Sequence, residues 1–393
     1  MLYFESIVVY SLLTLFMCYG AYRSQGTGRL AKLWEWIPII LFTLVFGLRY
    51  GVGMDYNNYV VIYEGTSIYT SLSEILEHER YEPAFSILLY IFHLFNAPVY
   101  WLFSFIAFLQ IFLLYKTFEN EKKVLLFIYL TLILTGFCMY NFMNILRHEV
   151  AFCFFLYSLK YVKNNQLLKY WICCLLALSF HHSALILFPL YFIWIKRKSL
   201  FNNSVIELTL VIICFLTSLL AQWQNILHLF DNVIVLLGYG DYIDIAGDMT
   251  INRKIGITRL FNLFINCLII LNSKKIKEYF KGGLVDIIYD LFVIGVCLGY
   301  IALGSMMMQR MFVYFTHTQF IMLAYALCYF YETRRQNYQQ LFKYLAIVLF
   351  IFISYSSFIY HCEDNIGAYV FYFQTDMHEV KDMLRDAVLS QME

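Results

Sequence analysis

Apolar stretches recur along this chain from its fourth residue to its three-hundred-and-sixtieth, and charge is confined to the breaks between them. That pattern limits the fold more than any other feature, because about 20 apolar residues of helix are what a bilayer core requires. Apolar residues make up 61% of the 393 and charged residues only 14%, against roughly 25% charged in a soluble domain. Lipid can cover such a surface and water cannot. The chain therefore reads as an all-α polytopic membrane protein of about 12 transmembrane helices. The expected spans lie near 4–22, 33–48, 98–115, 124–140, 145–162, 169–181, 183–195, 204–221, 256–272, 284–302, 310–330 and 341–360. The first run has no basic stretch before it and no small-residue cleavage site after it, so it reads as a retained helix. The two spans flanking His181-His182 are short, as expected for tilted helices or a hairpin that stops below one interface. The run 84–95 is shorter still and begins after Glu82-Pro83, a helix-start signal. It reads as re-entrant or interfacial.

Charge supports that reading. If 84–95 does not cross, every lysine-rich loop falls on one side: Arg23 to Lys32, Lys116 to Lys123, Lys160 to Lys169, Lys196-Arg197-Lys198, Lys274 to Lys281, and Arg334 to Lys343. The positive-inside rule makes that side cytoplasmic and places both termini outside. If 84–95 crosses, the loops divide between the two faces. On the first map the 28 basic residues separate into 19 inside, 14 of them Lys, and nine outside, seven of them Arg. Lysine inside is ordinary topology control. Arginine outside is disfavoured by topology, and its planar fork holds phosphate oxygens bidentately and stays charged when partly buried. An outward cavity lined with arginine implies a phosphate-bearing ligand, although any one of these residues also fits an ordinary interface anchor.

No internal repeat or low-complexity linker interrupts the chain. It reads as a single integral membrane domain over 1–393 with outer loops at about 49–97 and 222–255 and an outer tail at 361–393, long segments of the kind that carry function. The aromatic stretch Tyr369 to Phe373 suits a tail lying on the membrane surface. Net charge is +1, which leaves no nucleic-acid footprint. The ten cysteines show neither zinc spacing nor a disulfide framework. Walker-type and dinucleotide-binding glycine loops are absent from the sequence, so no nucleotide cofactor is expected, and the acidic pairs are not arranged as a metal site.

Four constellations carry candidate chemistry. The first is Arg49-Tyr50-Gly51-Val52-Gly53-Met54-Asp55-Tyr56, where glycines turn the backbone at the membrane edge. Arg49 and Asp55 flank the turn, either as a pair that closes the loop or as a phosphate-binding Arg beside a proton-accepting carboxylate. The second is Asn144-x-x-Arg147-His148-Glu149, at the outer head of the fifth span, where free amides and the helix dipole attract anions and Asn144 suits a cap. An ionisable cluster at the head of an apolar helix is a functional-site hypothesis by default. The third is His181-His182-Ser183, where a His titrates near neutral pH and shuttles a proton. Adjacent histidines point apart, which argues against a shared metal. The fourth is Arg310 after a nearly uncharged run, with Arg253 and Arg259 near the ninth span. In each case the plainer alternative is a polar turn or an interface anchor.

In order and spacing these motifs resemble the EpsG family of exopolysaccharide and O-antigen polymerases, the Wzy-like proteins. The resemblance rests on Arg49-Tyr-Gly-Val-Gly-Met-Asp55-Tyr56, Asn144-x-x-Arg147 and Phe180-His181-x-Ser183-Ala184, and covers most of the chain. The family usually has Gln after the Arg of the second motif, where this chain has His148. The resemblance implies a fold like the large-loop GT-C membrane glycosyltransferases. It also implies polymerisation of polyprenyl-diphosphate-linked oligosaccharides at the outer face of a bacterial inner membrane, without a metal and with a chain-length regulator protein as a candidate partner. Under that reading His181, Arg147, Arg310 and Asp55 are the catalytic candidates. Arg49, Tyr56, Asn144, His148, Glu149, His182, Ser183, Arg253 and Arg259 are the substrate-binding ones. The enzyme rivals are an O-antigen-type ligase and a membrane acyltransferase. The non-enzyme rivals are a lipid-linked oligosaccharide flippase and a structural scaffold. Polar residues at the outer ends of the helices favour chemistry on one face over a path through the membrane.

Overall fold

A computed structural model describes residues 2–78, 81–194, 199–219, 257–303, 306–360 and 369–374. Among these residues the chain is helical. The one feature of sheet type is an isolated antiparallel bridge between Arg49 and Phe371. It divides into two compact units, one of 1–157, 172–181 and 355–393, the other of 158–171 and 182–354.

In the first unit, α1 (Leu2–Arg23), α2 (Arg29–Gly47), α6 (Val99–Phe118) and α7 (Lys122–Leu134) pack as a bundle. At one end of it, Lys122 Nζ bonds Glu35 at 2.6 Å and the Ser24 carbonyl at 2.9 Å, while the Tyr115 hydroxyl donates to Glu35 at 2.7 Å. The basic stretches near 24–32 and 116–123 therefore share an end, as the charge pattern predicts. At the other end the Arg49 guanidinium lies over the Phe103 ring at 4.8 Å, so α2 finishes where α6 begins. Between them run α3 (Tyr56–Gly65), α4 (Leu72–His78) and α5 (Pro83–Leu94). The chain leaves and re-enters the bundle at the same end, and the 12-residue α5 is about 18 Å long, short of a bilayer core of about 30 Å. Such a return is what the non-crossing reading of 84–95 requires.

The span expected over 124–140 is broken. Helix α7 and α8 (Phe137–Asn144) meet at a 74° bend. Gly136 sits at the break with φ +69°, and a Cβ there would stand 2.5 Å from the Phe358 ring. α9 (Leu146–Lys163) and α10 (Leu167–Phe180) follow, each divided between the two units.

The second unit holds a short 3-10 turn at His182–Leu187, then α11 (Leu190–Trp194), α12 (Ser204–Thr217), α13 (Ile257–Tyr279), α14 (Val285–Ile301), α15 (Met306–Met311), α16 (Val313–Thr316) and α17 (Thr318–Thr333). It also takes most of α18 (Tyr338–Tyr360). The span expected over 310–330 is thus three helices rather than one. Buried polar side chains compensate at the breaks, with Thr318 Oγ1 donating to the Phe315 carbonyl at 2.5 Å, as backbone at membrane depth requires. Buried Asp290 accepts from Trp194 Nε1, Ser199 Oγ and the Leu200 and Phe201 amides at 2.6–3.2 Å and fixes that end of the unit.

Among the described residues four helices are long and apolar enough to cross a membrane: Phe4–Arg23, Arg29–Gly47, Val99–Phe118 and Tyr338–Tyr360. The bent α7–α8 pair makes a fifth when counted as one span. The described cysteines carry no disulfide.

Candidate functional site

The chain leaving α2 turns through two positive-φ glycines, Gly51 at +63° and Gly53 at +110°. At Gly53 a side chain would also meet Asn144 Oδ1 at 2.8 Å. Arg49 is 1% exposed. Its Nε donates to the Val52 carbonyl at 3.1 Å, its Nη2 to the Met143 carbonyl at 2.8 Å, and its Nη1 to the Phe46 carbonyl. Carbonyl oxygens thus close the loop and dock it on α8. Burial pushes the guanidinium pKa down, to about 10, which leaves it charged at neutral pH. Asp55 begins α3, and its amide donates to Asn144 Oδ1 at 3.3 Å. Asn144, expected as a helix cap, instead reaches across to the glycine loop. Tyr56 is buried and faces the Arg49 guanidinium at 5.9 Å.

The aromatic tail, expected on the membrane surface, closes over this loop. The Tyr50 amide donates to the Val370 carbonyl at 2.9 Å, and the Tyr372 amide to the Leu48 carbonyl at 2.8 Å. The Tyr369 hydroxyl reaches the Val45 carbonyl at 2.6 Å, and its amide reaches Ser6 Oγ at 3.0 Å. Tyr369 is consequently 2% exposed, whereas Phe373 is 72% exposed. Backbone pairing, absent from any composition argument, draws Tyr369 inward. Residues 375–393 lie outside the described ones.

Arg147 stands in the first turn of α9 and makes an ion pair with Glu82, the residue before Pro83. Its guanidinium lies over the rings of Tyr81 at 5.2 Å and Phe85 at 5.5 Å and also bonds Tyr59. The Arg147 side chain is 23% exposed and that of Glu82 only 4%. The arginine is therefore the accessible member of a buried pair. Its neighbour His148 is stacked on His181, with ring centroids 4.1 Å apart and planes at 17°. Glu149 is fully buried.

The first unit thus gathers Arg49, Asp55, Tyr56, Asn144, Arg147, His148, Glu149 and His181 around the ends of α2, α8, α9 and α10. Sequence reasoning missed Glu82 and Tyr59 as partners. A carboxylate held against a proline-started helix, and a tyrosine one turn after Tyr56, were the available signals.

The remaining candidates belong to the second unit. His182 is exposed, while Ser183 is buried and bonds the Tyr314 hydroxyl at 3.0 Å. Arg310 on α15 and Arg259 in the first turn of α13 are half-buried. Arg253 lies outside the described residues. Among the described residues no three His, Cys, Asp or Glu side chains are grouped as metal ligands.

A family model described as the EpsG family matches residues 32–372. No curated protein and no solved structure matches the chain.

Proposed function

The chain belongs to the EpsG family, and from that premise we propose that it polymerises polyprenyl-diphosphate-linked oligosaccharide repeat units. The single observation that carries the proposal is the convergence, in one unit, of three separate sequence motifs. Arg49 bonds the Met143 carbonyl, Asn144 bonds the glycine loop, and His148 stacks on His181 beside Arg147. A cation, an imidazole and a carboxylate held together at the ends of apolar helices suit glycosyl transfer from a lipid diphosphate.

In the reaction we propose, the bond between the anomeric carbon of the growing glycan and its lipid diphosphate breaks. A sugar hydroxyl of the incoming unit forms the new bond to that carbon, and the diphosphate departs with the electron pair. Arg147 stabilises the negative charge that develops on its oxygens; Arg310 and Arg259 are the cationic candidates of the second unit. His181 takes the proton from the acceptor hydroxyl, and Asp55 and Glu149 are the alternative bases. Arg49, whose donors are committed to backbone carbonyls, acts as a positioning residue that shapes the loop. Tyr56 and Asn144 of the first unit, and separately His182 and Ser183 of the second, are the candidates for binding sugar.

Residues 1–393 act here as one integral membrane domain of the GT-C type with about 12 spans. It is set in a bacterial inner membrane, with its active face and both termini on the non-cytoplasmic side.

Purified protein in liposomes, supplied only with its host's lipid-linked repeat unit, tests the proposal. A ladder of products that disappears with Arg147→Lys supports it. Movement of the lipid-linked unit across the bilayer with no ladder would give the arginines to a flippase instead.

A further inference from the structure

At one end of the second unit, α13, α14 and α17 bring together a group of uncharged polar side chains. Asn262 and Asn266 lie one turn apart on α13, with Arg259 a further turn back on the same face. Gln319 of α17 donates through Nε2 to Asn262 Oδ1 at 3.0 Å and to Asn266 Oδ1 at 2.8 Å. Asn266 Nδ2 donates to Asn262 Oδ1 at 2.8 Å. Tyr300 of α14 lies beside Asn266 and within electrostatic reach of Arg259. It is 6% exposed, and its hydroxyl has no hydrogen-bond partner among the described residues.

The cluster's internal bonds saturate one acceptor, Asn262 Oδ1. Among the described residues they leave the Asn262 Nδ2 donors, Gln319 Oε1 and the Tyr300 hydroxyl for something else. Interhelical amide bonds are ordinary glue in membrane proteins, but glue gives no reason to bury a hydroxyl without a partner, which carries a desolvation penalty. Unused donors and acceptors side by side, with no carboxylate and a single cation among the described residues of the cluster, match neither a lipid tail nor a bare diphosphate. They match a neutral ligand dense in hydroxyls, which offers both halves of each hydrogen bond.

We propose that Asn262, Asn266, Gln319 and Tyr300, with Arg259 one turn away, form a glycan-recognition site that reads the sugars of a lipid-linked oligosaccharide. This rests on the reading that such lipids are the substrates, and its test is separable from polymerisation. The measurement is the affinity of the full-length chain in nanodiscs for two probes: the polyprenyl-diphosphate-linked repeat unit extracted from producing cells, and sugar-free polyprenyl diphosphate. The wild type should favour the sugar-bearing lipid by about tenfold or more, the worth of one or two well-made hydrogen bonds. Tyr300→Phe should erase most of that preference and leave the sugar-free affinity unchanged. Asn262→Leu should do the same to the preference. Arg147→Lys should keep the preference while losing polymer. A wild type that binds both probes alike, or a Tyr300→Phe variant that keeps the full preference, overturns the proposal. If no polymer forms under any condition but Tyr300→Phe still erases the preference, the glycan site stands and the polymerase reading falls.

Discussion

Arg147 is ion-paired to Glu82 across 65 residues of sequence, and of the two the carboxylate is the more deeply buried. Removing the arginine therefore does more than remove a cation from the site. It also breaks a buried ion pair, which costs about 3–5 kcal/mol when one partner is deleted.

Arg147→Ala should accordingly lose both polymer synthesis and heat stability in detergent. Glu82→Gln placed in the same chain should restore much of the stability and none of the synthesis. Arg147→Lys should fold nearly as well as the wild type and still fail in synthesis, because an ammonium lacks the planar fork. A double-mutant cycle on melting temperature checks the first claim. Stability in Arg147→Ala equal to that of the wild type would show that the pair contributes nothing to the fold.

The glycine loop gives a paired prediction. Gly53 has φ +110° with Asn144 Oδ1 2.8 Å from the place of a Cβ, whereas Gly51 has φ +63° and open space around it. Ala at Gly51 pays the left-handed penalty alone, about 1–2 kcal/mol. Ala at Gly53 should cost more, since it also displaces Asn144 and with it the bond to the Asp55 amide. Comparing the two variants by thermal unfolding and by polymer yield reads the contact directly. Equal losses would mean that the Asn144 contact is dispensable.

Much of this arrangement was legible in the sequence, and the exceptions share a cause. The motifs at Arg49, Asn144 and His181 are local patterns of charge against apolar helix, and the structure brings residues from all three into one unit. The return of the chain to one end of the bundle between α2 and α6 was legible from lysine placement. What was not legible depends on contacts distant in sequence. Arg49 was read as a partner for Asp55 or for phosphate, yet its donors go to carbonyls of Phe46, Val52 and Met143, and no side-chain pattern announces a backbone acceptor. The breaks at Gly136 and at Phe312 were invisible for the same reason, since uninterrupted apolarity reads as one helix whether or not a neighbour bends it. Amphipathic composition alone placed Tyr369 to Phe373 on the membrane surface, and main-chain pairing with Leu48 and Tyr50 overrode it.

That pairing makes the tail part of the fold. Tyr369→Phe removes the 2.6 Å bond to the Val45 carbonyl and should cost about 1 kcal/mol. Tyr369→Ala also empties a buried ring site and should cost about 3–5 kcal/mol. Ending the chain after Tyr360 should lower stability at least as much as Tyr369→Ala and reduce synthesis, because the Arg49 loop loses its antiparallel partner. Expression, melting temperature and polymer yield of the three variants provide the check. A shortened chain as stable and active as the full one would leave the tail no structural role.

The stacked imidazoles at His148 and His181 support the last prediction. Their centroids are 4.1 Å apart and His148 is buried, so the His148 ring holds the plane of the His181 imidazole. An aromatic pair contributes about 0.5–1.5 kcal/mol beyond the area it buries, and loss of that orientation should slow synthesis by about tenfold or less. His148→Ala should show that loss with membrane insertion intact. His148→Phe keeps a ring that stacks but neither titrates nor hydrogen-bonds, and should recover most of the rate. His181→Phe should not, because His181 is assigned the proton. Polymer yield per unit of folded protein ranks the three variants. If His148→Phe is as poor as His148→Ala while equally well folded, the nitrogens of His148 and not its plane are what the reaction uses, and His148 then joins His181 in contact with the substrate.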